Sequence, residues 1–80
     1  MTITTLLFAS YADALGVESV QLQLPEGATA RDAVEQLRAF PGGDRLPPLP
    51  LLAINLEYVR ADAPLAAGDE LAVIPPVAGG

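Results

Sequence analysis

The chain has 80 residues, half of them apolar, with ten Asp and Glu against four Arg and a formal net charge of −6. That suffices for one small domain with a core and is too apolar for a disordered acidic tail. It contains no Cys, His or Lys, which excludes disulfides, thiolate metal sites and thiol, imidazole or amine catalysis, and its charge repels phosphate backbones, so nucleic acid is not an expected partner.

Met1 to Ala9 carries no basic residue, and its apolar run is too short for a signal peptide. Prolines and charges interrupt every candidate membrane span, so a cytoplasmic protein away from membranes is expected. Thr2 to Ala9 reads as a strand, and apolar residues on both its faces predict a central position in a sheet. Ser10 and Asp13 have capping-box spacing and Gly16 supplies a stop, which predicts a short helical turn over Tyr11 to Leu15. Val17 to Leu24 alternates, with Val20, Leu22 and Leu24 on one side and Gln21 and Gln23 on the other: a half-buried strand. Pro25-Glu26-Gly27 turns the chain.

Thr29 followed by Asp32 marks a helix start, and Ala30, Ala33, Val34 and Leu37 fall on one stripe. Residues 41–50 hold four prolines and two glycines, which predicts a loop without regular structure or assigned role. Leu51 to Asn55 and Glu57 to Arg60 read as strands joined by a tight turn near Asn55, and Gly68-Asp69 turns into a last strand, Glu70 to Ile74. Pro75 and Pro76 cannot donate to a ladder, so the sheet must end there. The expected division is therefore a domain over residues 1–74 and a flexible tail over 75–80.

Two strands, one main helix and three further strands pack most economically with that helix across one face of a mixed sheet. This is the pattern of the α+β β-grasp, or ubiquitin-like, fold. Its first and last strands lie parallel at the sheet centre, which suits the apolar runs Leu6–Phe8 and Leu71–Ile74 and sends the tail off one end of the sheet.

The tail, Pro75-Pro76-Val77-Ala78-Gly79-Gly80, is the most reactive feature of a chain poor in chemistry. A carboxylate at Gly80 becomes electrophilic after adenylation, and a sulfur donor can then convert it to a thiocarboxylate. Gly79 and Gly80 have no side chain to obstruct a narrow channel, while the two prolines favour an extended course and lower the entropy lost on insertion. Six residues at 3.3–3.6 Å each reach at most about 20 Å, enough to enter a partner's buried pocket. A frayed end is the bland alternative, and the Pro-Pro stem and the element order weigh against it.

Gly68-Asp69-Glu70-Leu71-Ala72-Val73-Ile74 with the tail closely resembles the C-terminal signature of molybdopterin synthase small subunits, and Leu7-Phe8-Ala9 and Ala53-Ile54-Asn55 look like the same family. The resemblance covers nearly the whole chain. It implies a sulfur carrier for molybdenum cofactor synthesis, with Gly80 as the reacting residue and Pro75 to Gly79 inserted into partner active sites. The partners it implies are a ubiquitin-activating-like adenylyltransferase that consumes ATP, a sulfur donor protein, and the large synthase subunit, joined in a heterotetramer. No bound cofactor or metal is implied, and cyclic pyranopterin monophosphate would receive the sulfur to form the dithiolene. Where family members often carry Leu-Arg-Glu this chain has Tyr11-Ala12-Asp13, so no arginine-mediated contact is expected at Ala12.

Docking needs apolar surface near the tail, and Phe8, Tyr58 and Ile74 are the expected docking residues, with core packing the competing role for Phe8. Alternative functions are a carrier for thiamine or transfer-RNA thiolation, protein tagging through the same terminal glycine, and a β-grasp interaction module without reactivity.

Overall fold

A computed structural model describes residues 1–76. Strand β1 (Thr2–Leu7), helix α1 (Ala9–Leu15), β2 (Ser19–Gln23), helix α2 (Ala30–Arg38), a 3-10 turn (Gly43–Arg45), β3 (Leu51–Ile54), β4 (Glu57–Val59) and β5 (Glu70–Ile74) follow in order. The sheet runs β2-β1-β5-β3-β4. At its centre β1 and β5 are parallel, Thr4 paired with Glu70 and Leu7 with Val73. Every other neighbouring pair is antiparallel. No helix of the described residues is long and apolar enough to cross a membrane.

Strand alternation decides which side of the sheet is covered. Ile3, Thr5 and Leu7 of β1, Leu22 of β2, Leu52 of β3 and Leu71 and Val73 of β5 are buried on one face. Helix α2 lays Ala30, Ala33, Val34 and Leu37 into the same core, the stripe expected from their spacing. Each fully buried Leu or Val there contributes about 1.5–3 kcal/mol relative to exposure. The predicted cap is present in full: Asp32 N–H donates to Thr29 Oγ1 at 3.4 Å, and Thr29 N–H donates to Asp32 Oδ2 at 2.8 Å. Such a cap stabilises a helix by about 1 kcal/mol.

The first helix starts differently from the sequence expectation. Its N-cap is Phe8, without a side-chain cap, so Ser10 and Asp13 form no capping box. Phe8 is extended, Ala9 turns to φ 47°, and the Phe8 carbonyl accepts from Tyr11 N–H at 3.0 Å. The strand therefore stops at Leu7, two residues before the expected Ala9, and the helix begins inside the apolar run. Gly16 closes α1 at φ 75°, as expected of a left-handed C-cap. Tyr11 points into the core, and burial pushes its phenol above the ordinary tyrosine value.

The proline-rich segment is more ordered than its composition suggests. It contains the 3-10 turn, and Leu46 is buried in the core. Arg38 Nε donates to the Leu46 carbonyl at 2.8 Å, fastening the segment to the end of α2. A Cβ at Gly42 would overlap the Ala14 carbonyl oxygen, and one at Gly43 would overlap that of Leu37. These two glycines let the segment lie directly on the backbone of both helices.

One core group is unsatisfied. Thr5 is fully buried, and its Oγ1 has no hydrogen-bond partner among the described residues. A buried hydroxyl without a partner costs stability that an apolar group of the same shape does not. Thr5→Val is therefore expected to raise unfolding stability by about 1 kcal/mol, read as a melting-temperature rise of about 4–8 °C. A fall in melting temperature would mean that the hydroxyl has found a partner in solution.

Candidate functional site

With α2 on one face, the opposite face of the sheet is left without a covering element among the described residues, and the pairing register sets its pattern. Leu6 pairs with Ala72, Ala72 with Ala53 and Ala53 with Tyr58, forming one row across four strands. One step toward the end of β5, Ile74 pairs with Leu51, and Phe8 directly follows Leu7, the partner of Val73. Phe8, Tyr58 and Ile74, separated by up to 66 positions in the sequence, thus converge on one surface.

That surface is concave. Its central strands present Ala53 and Ala72, small enough to form a floor, and larger side chains stand around them. A depression of about 230 Å³ results, lined by Phe8, Tyr58 and Ile74 together with Leu6, Leu56 and Glu70. Phe8 is 44% and Tyr58 72% exposed, and Ile74 is half-buried. The exposure of Phe8 decides against its competing core role. A second depression, of about 500 Å³, shares Leu6 and Phe8 and extends past Ala12 to the polar Glu18 and Ser19.

The tail leaves from the edge of this surface. Strand β5 ends at Ile74, and Pro75 and Pro76 follow without strand structure, as their missing donors require. Val77, Ala78, Gly79 and Gly80, expected to enter partner sites, lie outside the described residues.

At the opposite end of β5, two segments quoted from the sequence meet. Asn55 Nδ2 donates to Asp69 Oδ1 at 3.0 Å, Glu70 N–H donates to Asn55 Oδ1 at 3.0 Å, and Asn55 N–H donates to the Glu70 carbonyl at 2.9 Å. Ala66 N–H donates to the second oxygen of Asp69 at 2.8 Å. This clip ties the β3–β4 turn to the start of β5 and so fixes the register of the central strand that ends at the tail. Asn55 and Asp69 are positioning residues for the fold, not part of the apolar surface.

The turn they hold has φ 49° at Asn55 and φ 73° at Leu56, the positive pair of a type I′ hairpin. Asn suits this geometry, but Leu does not: a left-handed residue with a side chain costs about 1–2 kcal/mol. Leu56 is also 92% exposed. Sequence reading missed it among the lining residues, although a Leu where Asn-Gly is the favoured hairpin pair was a visible signal. Leu6 was missed as well; its outward direction follows from its place between buried Thr5 and Leu7.

The ThiS family profile matches residues 5–80. The chain belongs to the ThiS family. This ThiS-family chain is 37% identical over 79 residues to the molybdopterin synthase sulfur carrier subunit of Arabidopsis thaliana, covering 98% of the chain and 82% of that relative. To the corresponding subunit of Chlamydomonas reinhardtii it is 37% identical over 83 residues, with both chains fully covered. Among solved structures it resembles SAMP1 from Haloferax volcanii, at a TM-score of 0.86 and 29% identity over the whole of both chains. The ThiS-family assignment and this likeness agree with the β-grasp architecture expected from the order of elements.

Proposed function

We propose that the protein is the sulfur carrier of molybdenum cofactor biosynthesis, acting in the cytoplasm through the carboxylate of Gly80. The observation that carries this reading is full-length similarity to molybdopterin synthase sulfur carrier subunits. The fold supports it by placing the tail stem, Pro75 and Pro76, at the end of a central strand beside a bare apolar face.

In this reading an adenylyltransferase related to the ubiquitin-activating enzymes binds the domain and takes the tail into its site. A Gly80 carboxylate oxygen attacks the α-phosphorus of ATP, and pyrophosphate leaves. The acyl carbon is now electrophilic; the terminal sulfur of a donor-protein persulfide displaces AMP to give an acyl disulfide. A second donor thiol attacks the donor-side sulfur, leaving the Gly80 thiocarboxylate and a disulfide on the donor. The charged carrier then docks on the large synthase subunit, two copies of each chain forming a heterotetramer. Val77 to Gly80 enter that subunit's active site, where sulfur passes to cyclic pyranopterin monophosphate. Catalysis belongs to the partners; this chain contributes the reacting terminus, its extended stem and a docking face built on Phe8, Tyr58 and Ile74.

The test is the intact mass of the protein after incubation with its activating enzyme, ATP and a sulfur source. Exchange of one oxygen for sulfur adds about 16 Da at the activated acyl group. Delivery of that sulfur to the pterin precursor, with the large subunit present, then assigns the pathway over thiamine or transfer-RNA thiolation. No mass gain with the cognate enzyme refutes the carrier reading. The likeness to SAMP1, described elsewhere among its solved structures as a small archaeal modifier protein, favours a second reading in which activated Gly80 is joined to another protein's amine. Higher-mass conjugates in the same incubation, supplied with acceptor proteins, would support it.

A further inference from the structure

Resting on the reading of the open face as the docking surface for the large synthase subunit, we propose that Leu56 is a specificity-determining anchor of that surface. It inserts into an apolar cleft of the large subunit, and a cationic side chain on the rim of that cleft faces Glu70.

Three observations converge on Leu56. First, its side chain is 92% exposed, so the fold gains almost nothing from it. Single exposed leucines are ordinary, and this fact alone would carry no inference. Second, it occupies φ 73°, where glycine would be free of strain. The two-residue loop between paired Ile54 and Glu57, with Asn55 clipped to Asp69 and Glu70 at φ 49°, is a type I′ turn, whose second position is left-handed whichever residue stands there. A leucine there is thus a local cost without local return, the pattern expected where a side chain serves binding. Third, Leu56 lines the same depression as Phe8, Tyr58 and Ile74, at the end of the face farthest from the tail. The apolar strip therefore runs continuously from the tail exit to the hairpin.

Charge identifies the partner's chemistry. Among the described residues Glu70 is the only charged side chain lining the depression; Glu57 pairs with Ile54 in the row of Leu71 and so belongs to the helix-covered side. The chain as a whole carries −6. A cleft rimmed by Lys or Arg would be steered toward this end of the face, while Leu56 and Tyr58 fill its apolar floor.

Calorimetric titration of the full chain into the purified large subunit tests the proposal, with Leu56→Gly, Leu56→Met and Tyr58→Ala compared with the parent. Leu56→Gly is expected to weaken binding by at least about tenfold, Leu56→Met by less than about threefold, and Tyr58→Ala by at least about tenfold. The melting temperature of Leu56→Gly should equal or exceed the parent's, since strain is removed and no burial lost. If Leu56→Gly binds like the parent while Tyr58→Ala weakens, the docking face stands and the Leu56 proposal falls. If neither variant weakens binding, the reading of the open face fails as well. A Leu56→Gly that melts lower overturns the premise that the side chain is dispensable to the fold. Glu70→Gln should slow association, read by stopped flow, at low salt and leave it unchanged at high salt; equal rates at low salt overturn the cationic rim.

Discussion

Deleting Gly80 is expected to abolish sulfur loading while leaving the melting temperature unchanged. Under the proposed sulfur-carrier function, the deletion moves the reacting carboxylate back to Gly79, about 3.3–3.6 Å short of the place Gly80 would take in an activating site. Misplacement by only about 1 Å commonly costs a reaction about a hundredfold, so a full residue leaves no measurable loading on the assay timescale. The domain should not register the change. Among the described residues, 1–76, the buried apolar ones extend no further than Val73, and β5 ends at Ile74. Intact mass after incubation with the activating enzyme reads the first effect, and calorimetry the second. Persistent loading would place the acceptor elsewhere on the chain. A melting temperature lower by several degrees would show that the tail is part of the fold.

The largest effect on stability is expected at Gly42. A Cβ there meets the Ala14 carbonyl oxygen, and the residue has φ 83°. Overpacking against backbone costs about 1–3 kcal/mol, because neither helix end can move without opening the core. The left-handed conformation adds about 1–2 kcal/mol for any residue with a side chain. Gly42→Ala should therefore lose about 3 kcal/mol, a large part of what a domain this small possesses. At 4–8 °C per kcal/mol the melting temperature falls by about 12–24 °C. Gly27→Ala is the control: Gly27 has φ 86° with nothing near its Cβ direction, so it should lose only the backbone contribution. Equal losses at Gly42 and Gly27 would remove the steric part of the explanation.

The contrast between these glycines shows what the sequence made legible. Gly27 follows Pro25-Glu26 in a recognisable turn, and its role can be named from its neighbours. Gly42 and Gly43 were visible as the two glycines of a proline-rich loop, but their contacts with α1 and α2 belong to tertiary packing. Leu46 was hidden for the same reason: proline content reports local geometry and says nothing about which residue of a loop is drawn into the core. Thr29 and Asp32 were legible because both halves of a capping box lie within four residues. Ser10 and Asp13 have the same spacing and fail, because the strand before them hands its last apolar residues directly to the helix. The candidate site was half legible. Side-chain size and nearness to the tail singled out Phe8, Tyr58 and Ile74, while Leu56 required the turn's φ angles and Ala53 and Ala72 required the cross-strand register.

The parallel pairing of β1 with β5 has a consequence for the making of the protein. It joins residues 4–7 to residues 70–73, so the middle of the sheet can be completed only with the last strand. Before β5 is added, the β1–β2 pair and the β3–β4 hairpin have no strand to bridge them. A nascent chain interrupted before β5 exposes two unfilled strand edges, a target for proteolysis, and has no stem from which a reactive end could be offered. Completion of the final strand therefore closes the domain and presents the stem in a single event, and an unfinished copy offers neither a closed sheet nor the stem.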